Sequence, residues 1–356
     1  MTSTTSKSLV LIVGAGGSKE VDLPLGSELK SSIARALDIR YKNGQDRVSG
    51  DGMIDSAFRS LAQELPFPRN NDINPFLHSA QRVAEAMPQA ISIDNFIDSH
   101  RGDEDIALCG KLAIVRVILD AERKSKLYVN RNNIYNKIRF TEVENTWFNA
   151  FFQLLTENCH RDDLADRFSK VAIVTFNYDR CVEHYLYQGL QNYYGIRADE
   201  AKQTLESLEI YHPYGTVGQL DWQLPYGGIS FGGDIDPQKL LRLASGIRTF
   251  TEGIDPKLGE SDAIRNVLAQ AERLVFLGFA FHKLNIELLF KGPPFTTEAR
   301  QCPVYATSMG LSKVDIELIG EQISNLANIR HESFHLLNPL RCSELLREYW
   351  RGLSLS

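Results

Sequence analysis

The sequence has no pair of cysteines close enough to act together. No C-x-x-C pair occurs in the 356 residues, and the cysteines stand far apart at Cys109, Cys159, Cys181, Cys302 and Cys342. Zinc ribbons and thioredoxin-like redox motifs need such pairs, so neither is predicted. Single, scattered cysteines are typical of proteins kept in a reducing compartment.

The chain also lacks a long apolar run and an excess of basic residues. Its first apolar run, Leu9–Val13, is too short for a signal sequence or a membrane span. The 39 basic and 45 acidic side chains give a net charge of −6, so we expect no direct binding of nucleic acid. A partner that binds DNA is compatible with this charge. Together these absences predict a cytoplasmic protein without a membrane anchor.

Short apolar runs followed at once by glycine or polar residues are the strongest pattern present. Such runs predict strands buried on both faces, which is typical of a parallel sheet. Helical patterns follow several of them, so the sequence predicts an α/β fold with a Rossmann-like, doubly wound, mostly parallel sheet. The predicted strands are Leu9–Val13, Val171–Thr175, 208–211, Leu274–Leu277 and 304–306, and the helices that follow are 25–37, 180–190 and 312–326.

Residues 40–168 separate the first strand–helix unit from the second predicted strand and are too many for one crossover. Helical periodicity predicts an inserted helical module there, with residues 1–39 and 169–356 forming the Rossmann-like domain. The helical pattern occurs at 92–99, 106–121 and 147–156. A second segment, 216–260, is rich in glycine and turn signals, which predicts a hairpin or a flexible flap.

The first candidate site is the turn G-A-G-G-S at 14–18, which follows the first strand and precedes a helix. Glycines in this position let backbone N–H groups approach a pyrophosphate. A tight strand–helix turn without a ligand is the alternative. The usual dinucleotide fingerprint has a third glycine where Lys19 stands, so a hydride-transferring dehydrogenase fits poorly.

Three further predicted strands end in polar residues or glycine. The sequences are T-F-N-Y-D at 175–179, Y-H-P-Y-G at 211–215 and L-G-F-A-F at 277–281. Taken alone, the first is also compatible with a solvated strand end and a helix cap, and a lone histidine such as His212 is more often structural. Because the carboxyl ends of parallel strands share one edge of the sheet, these groups are expected to meet at a ligand site.

These motifs, in this order, resemble the sirtuin-like family, and specifically its zinc-free bacterial NAD-hydrolase branch associated with antiphage defence. The turn at 14–18, followed by L-P-L-G, is similar to the family's phosphate loop, and 175–179 resembles its T-x-N-x-D motif. His212 with Gly215 resembles the catalytic H-G pair, and 278–281 resembles the G-x-S strand turn.

The resemblance covers about 9–30 and 170–310 and leaves the helical insert unmatched. Sirtuin deacetylases carry a four-cysteine zinc module that this sequence lacks, and glutamine where Phe176 stands. Pro213 and Tyr214 separate the histidine from its glycine. These departures argue against protein deacetylation and favour cleavage of NAD itself without a metal.

The resemblance implies that the chain cleaves the nicotinamide–ribose bond of its substrate NAD+, giving nicotinamide and ADP-ribose. Asn177 would hold a water or a ribose hydroxyl near the anomeric carbon, and His212 would act as general base. Asp179 would bind the nicotinamide carboxamide. The other residues implied to bind NAD+ are Gly14, Ala15, Gly16 and Ser18 at the pyrophosphate, Gly278 and Ser308 at the adenosine half, and Leu25, Thr175 and Phe279.

Two other functions stay open. A non-catalytic sensor of NAD or ADP-ribose would use the same pocket, although binding alone does not need both Asn177 and His212. H-E-x-x-H at 331–335 matches the zinc-protease motif, which requires a helix. Apolar and polar residues alternate there as in an extended segment, which disfavours a protease.

Nothing in the sequence resembles a separate sensing domain, and an unrestrained NADase would deplete the NAD of its own host. The resemblance to antiphage proteins therefore leads us to expect a restraint on activity. The candidates are homo-oligomerisation, the segment 40–168, and a separate subunit such as a HerA-type DNA-translocating ATPase.

Overall fold

Six parallel strands form the central sheet, as the short apolar runs predict. The computed structural model of the chain describes residues 6–130, 132, 134, 136–249, 252, 260–295, 299–337 and 340–356. In chain order the strands are β1 (Leu9–Val13), β2 (Arg40–Lys42), β3 (Asp46–Ser49), β4 (Val171–Thr175), β5 (Glu209–Tyr211), β6 (Leu274–Leu277), β7 (Val304–Thr307) and β8 (Phe334–Leu337). Strands β2 and β3 pair separately as an antiparallel hairpin. The predicted strands are confirmed, and β8 extends the sheet beyond them.

The order of the strands places a crevice beside β1. Across the sheet the order is β5-β4-β1-β6-β7-β8. The chain moves outward from β1 through β4 to β5, then returns to the other side of β1 and adds β6, β7 and β8. The direction in which strands are added to the sheet therefore reverses between β1 and β6. Open parallel sheets bind ligands at such a point, outside the carboxyl ends of their strands. This order confirms the predicted Rossmann-like, doubly wound fold.

Helices cover both faces of the sheet. In chain order they are α1 (Ala15–Ser18), α2 (Gly26–Leu37), α3 (Gly52–Glu64), α4 (Asn74–Ala86), α5 (Ile93–Ser99), α6 (Glu104–Lys124), α7 (Trp147–Thr156), α8 (Leu164–Ser169), α9 (Cys181–Tyr194), α10 (Ala198–Leu205), α11 (Pro237–Ala244), α12 (Glu260–Ala269), α13 (Lys283–Phe290), α14 (Lys313–Ala327), α15 (Cys342–Glu348) and α16 (Trp350–Leu353). None of these helices is long and apolar enough to cross a membrane.

Alternate residues of β1 belong to two hydrophobic clusters, one on each face of the sheet. Val10 and Ile12 share a cluster with buried side chains of α2–α6 and α11–α14. Leu9, Leu11 and Val13 share the other with α7–α10, α15 and α16. Burial on both sides explains why β1 is apolar at every position rather than at every second one.

The segment 40–168 is largely helical and contributes to both clusters. Its helices α3–α6 join the first cluster, and α7 and α8 join the second. The helical patterns predicted in this segment correspond to α5, α6 and α7. The division of the chain into a Rossmann-like domain and an inserted module stays a prediction.

The segment 216–260 is anchored to the body of the protein. Its described part, 216–249, contains turns and α11 but no strand, so the hairpin alternative is wrong for these residues. The rest of the segment lies outside the described residues, apart from 252 and 260. Arg180 Nη1 donates to the carbonyl of Ile229 over 2.8 Å, and Gly232 N–H donates to Glu122 Oε2 over 2.9 Å.

Candidate functional site

A cavity of about 1060 Å³ lies at the reversal point between β1 and β6. Its walls come from the turn after β1, the residues after β4, the residues after β6 and the start of α5. Pockets for small molecules usually measure about 300–1,000 Å³, so this cavity is large enough for a dinucleotide. Residues from the motifs that follow β1, β4 and β6 therefore line one cavity.

The glycine turn after β1 packs directly against the turn after β6. Gly14 N–H donates to the Leu277 carbonyl and Gly16 N–H donates to the Gly278 carbonyl, both over 3.0 Å. A Cβ on Gly14 or Gly16 would lie 2.7 Å from backbone atoms of Gly278. Gly278 has a φ of +58° and its Cβ would lie 2.1 Å from the Gly17 nitrogen. Close backbone contact thus requires these glycines whether or not a phosphate binds there.

Asn177 connects the end of β4 to the glycine turn. Its Nδ2 group donates to the Gly14 carbonyl over 3.1 Å and to Ser18 Oγ over 2.9 Å. The residue is 7 % exposed and lines the cavity. Asn177 Oδ1 accepts no hydrogen bond from the described residues, and it is the atom of this side chain that remains for a ligand.

Asp179 also lines the cavity, but its carboxylate supports the following helix. Asp179 Oδ1 accepts from Cys181 N–H over 3.1 Å at the start of α9. Burial raises the pKa of Asp179 above its usual range, and hydrogen bonds from Cys181 oppose that rise. Asp179 therefore makes the contact with the start of the helix that the alternative interpretation of this motif, a helix cap, predicts.

His212 does not line the cavity that Asn177 lines. It contributes to a separate cavity of about 590 Å³. Its Nε2 lies 2.8 Å from Glu183 Oε1, and its Nδ1 lies 3.3 Å from the backbone carbonyl of Asn177. The residue before Gly215, where the family has its histidine, is Tyr214, and Tyr214 does line the large cavity.

The His212–Glu183 pair is buried and behaves as an ion pair. Burial alone would lower the pKa of His212, but the charge of Glu183 and its hydrogen bond outweigh burial and raise that pKa. Burial alone would raise the pKa of Glu183, but His212 and Arg180 outweigh burial and lower it. Both shifts favour the charged forms.

The remaining predicted residues divide between the cavity wall and the layer behind it. Ala15, Leu25 and Phe279 line the cavity. Thr175 is buried, and its Oγ1 accepts from Asn177 N–H over 3.3 Å. Ser308 is buried, and its hydroxyl has no hydrogen-bond partner among the described residues.

Thr307, Asp94 and Tyr178 are among the cavity residues that the sequence did not predict. Thr307 Oγ1 accepts from Gly278 N–H over 2.8 Å, which fixes the turn after β6. Asp94, the second residue of α5, accepts a hydrogen bond from the hydroxyl of Tyr178. Tyr178 lies between the predicted ligand residues Asn177 and Asp179 in T-F-N-Y-D, so this motif could have indicated it. Nothing in the local sequence links Asp94 or Thr307 to the site.

The H-E-x-x-H match does not form the helix that a zinc protease needs. His331–Ser333 is a short 3₁₀ turn and Phe334–Leu337 is strand β8. His335 stacks on Tyr305, with ring centroids 5.2 Å apart. No group of three or more His, Cys, Asp or Glu side chains among the described residues is placed to hold a metal ion.

No protein-family model and no curated protein matches the chain. The sirtuin-like resemblance therefore rests on the motifs at the strand ends. Three of these motifs, those after β1, β4 and β6, contribute residues to the same cavity.

Proposed function

We propose that the chain is an NAD+ glycohydrolase that cleaves the nicotinamide–ribose bond to give nicotinamide and ADP-ribose. The observation that carries the proposal is the large cavity at the β1/β6 reversal point. Gly14, Ala15 and Gly16 of the turn and Asn177, which carry the sirtuin-like resemblance, belong to its wall, whereas Ser18 does not line it.

Cationic side chains line the cavity, among them Lys19, Lys126 and Arg341, and acidic side chains such as Glu20 and Asp179 line it as well. Lys19 pairs with Glu28 over 2.7 Å and Lys126 with Asp22 over 3.5 Å. In the proposed function these cations would attract the pyrophosphate of NAD+.

The proposed chemistry needs a positioned polar group rather than a metal. Bound NAD+ supplies a leaving group that already carries a positive charge, and nicotinamide departs as a neutral molecule. Asn177 Oδ1 would hold a water or a ribose hydroxyl beside the anomeric carbon, and such positioning lowers a reaction barrier by several kcal/mol. His212 binds the Asn177 carbonyl, so in this arrangement we assign it to positioning Asn177.

A non-catalytic sensor of NAD or ADP-ribose is the second candidate. Two observations favour it: the Asn177 amide already donates to two protein acceptors, and His212 contributes to a different cavity. A sensor would bind the dinucleotide and leave its glycosidic bond intact.

The resemblance alone leads us to propose that NAD depletion serves antiphage defence and that the activity is restrained. A requirement for a homo-oligomer or for a HerA-type ATPase subunit, or inhibition by the segment 40–168, would each keep the isolated chain below full activity. An assay of nicotinamide release therefore also tests the restraint.

Release of nicotinamide from NAD+ by the purified chain tests the proposal. We expect release that survives chelation of metals and falls at least about 100-fold in Asn177→Ala, the size typical for loss of one positioned polar group. His212→Ala should lower release through misplacement of Asn177. Asn192→Ala, on the exposed surface of α9, is the matched control and should keep full activity.

Two other outcomes would decide against parts of the proposal. Tight NAD+ binding without release, with or without the candidate ATPase, would favour the sensor. Full activity of the chain alone, at a concentration where it is a monomer, would show that activity requires neither a partner nor an oligomer.

A further inference from the structure

Asp94 places a carboxylate on the wall of the large cavity. The residue is half-buried at the start of α5, and the Tyr178 hydroxyl donates to its Oδ1. Its other oxygen, Oδ2, accepts no hydrogen bond from another described residue. Ser92 Oγ already caps α5 by accepting from Asn95 N–H over 3.0 Å, so the helix does not need Asp94 as its cap.

Aromatic rings surround this part of the cavity. The Tyr178 and Tyr214 ring centroids lie 6.5 Å apart, those of Phe176 and Tyr214 5.5 Å apart, and those of Phe176 and Phe279 5.1 Å apart. An apolar wall disfavours the charged form of a carboxyl group. Burial accordingly raises the pKa of Asp94 to about 6, against an opposing hydrogen bond from Tyr178.

The titratable groups described around Asp94 are tyrosines and carboxylates. Tyr178 and Tyr214 face it from the segments after β4 and β5, Asp98 lies one turn further along α5, and Glu252 acts on Tyr178. Within the part of the chain that the structure describes, no lysine or arginine contributes to the pKa shift of Asp94. A positively charged ligand would therefore be attracted to this carboxylate.

We propose that Asp94 is the general base of this site, facing the nicotinamide–ribose end of the dinucleotide, and that Tyr178 is its positioning residue. The inference rests on the proposed function. With the adenosine half beside Gly278, the opposite end of the cavity receives nicotinamide riboside. Asp94 belongs to that end because its partner Tyr178 directly follows Asn177.

The reaction balances with Asp94 as the proton acceptor. The oxygen of a water molecule forms a bond to the anomeric carbon as the bond from that carbon to the nicotinamide nitrogen breaks. The electron pair of the broken bond neutralises the pyridinium ring, and nicotinamide leaves. The water proton passes to Asp94 Oδ2, which returns it to solvent. A base whose pKa lies near the working pH is suited to this step.

Asp94→Asn tests the proposal, with Asp120→Asn as the matched control. Asp120 lies on α6 away from the cavity, and its Oδ2 pairs with Lys124 over 2.6 Å. We expect nicotinamide release to fall about 10²–10⁴-fold in Asp94→Asn and to stay within twofold in Asp120→Asn. The melting temperature of Asp94→Asn should not fall, because the substitution removes a charge that burial disfavours.

The pH profile separates catalysis from a structural role. In the wild type, kcat/KM should rise with pH through about 6, the pKa of Asp94, because the base is its ionised form. Tyr178→Phe removes a hydrogen bond that lowers this pKa, so it should move the rise to higher pH. A purely structural carboxylate would leave the profile of Tyr178→Phe unchanged.

A comparison of NAD+ and NADH binding distinguishes a wrong role for Asp94 from a wrong proposed function. Only NAD+ carries a positive nicotinamide ring, so at pH 8 the wild type should bind NAD+ more tightly than NADH, and Asp94→Asn should lose most of that preference. Release by Asp94→Asn at the wild-type rate would overturn the proposal while leaving the glycohydrolase intact. A wild type that releases nothing contradicts the proposed function and, if it binds both nucleotides equally, overturns the role of Asp94 as well.

Discussion

His212 pairs with Glu183 and also contacts Asn177, a residue of the larger cavity. His212 contributes to the smaller cavity and its Nδ1 reaches the Asn177 carbonyl, while Asn177 lines the larger one. The side chains of His212 and Glu183 are 12 % and 7 % exposed. An ion pair this deeply buried stabilises the fold only while both partners are charged and bonded.

We predict that this pair stabilises the protein within a defined pH window. The pKa of His212 is raised above 6.5 and that of Glu183 is lowered below 4.5. Their contribution should therefore be complete between pH 4.5 and 6.5. It should decline as pH rises through the raised pKa of His212, and as pH falls through the lowered pKa of Glu183.

Urea unfolding at pH 5.5 and pH 8.5 measures this window. The difference in the free energy of unfolding between the wild type and Glu183→Gln should be larger at pH 5.5. Glu206→Gln serves as control because Glu206 forms an exposed pair with Lys202, and such pairs contribute at most about 1 kcal/mol. An equal difference for Glu183→Gln at both pH values would show that His212 is not charged in the folded protein.

The sequence predicted the positions of some site residues but not of others. Gly14, Gly16 and Asn177 stand directly after strands that the apolar runs predict, so their placement followed from strand order. Asp94 lies in a helix far from these motifs in the chain, and only tertiary packing brings it to Tyr178. His212 was predicted to face the ligand, but no local pattern indicated that Glu183 would hold its ring.

Among the secondary-structure elements, a buried network around Arg180 and Glu122 ties α6 to the loop that follows β5. Arg180 Nη2 and Glu122 Oε2 are 2.5 Å apart, and their side chains are 1 % and 0 % exposed. Arg180 also donates to the carbonyls of Ile229 and Ser230, and Glu122 accepts from Gly232 N–H. This network connects residues 229–232 of the segment 216–249 to α6 and to the start of α9.

Glu122→Gln should therefore destabilise the protein strongly. It leaves the buried charge of Arg180 uncompensated, which costs about 3–5 kcal/mol. Asp120→Asn, on the same helix, breaks an exposed pair with Lys124 and should cost less than about 1 kcal/mol. Chemical unfolding of both variants gives the comparison. Similar losses in the two variants would contradict a dominant role for the buried network.

The elements themselves were largely predictable, and the exceptions have local causes. Apolar runs predicted the strands β1, β4, β6 and β7 because these strands are buried along their whole length. The edge strand β5 was also predicted, although it is only half-buried. The hairpin of β2 and β3 was missed although Asn43 and Gly44 form a strong turn signal, because its strands are exposed and polar. Strand β8 was recognised only as an extended segment.

The whole molecule is organised around the reversal of strand order beside β1. Two hydrophobic clusters bury the sheet from both sides, which leaves the edge at the carboxyl ends of the strands as the place for a ligand. The segment 40–168 supplies Asp94 to this cavity in addition to helices for both clusters. Part of the chain that the motifs leave unmatched therefore completes the proposed site.

A structure of Asn177→Ala with NAD+ bound is the most decisive test of the proposed site, because the variant should retain the uncleaved substrate. We predict that the pyrophosphate lies against Gly14 and Ala15, that the adenosine half lies beside Gly278, and that the anomeric carbon lies within reach of Asp94 Oδ2. A dinucleotide bound in the smaller cavity around His212, or none in the cavity between β1 and β6, would contradict the proposal.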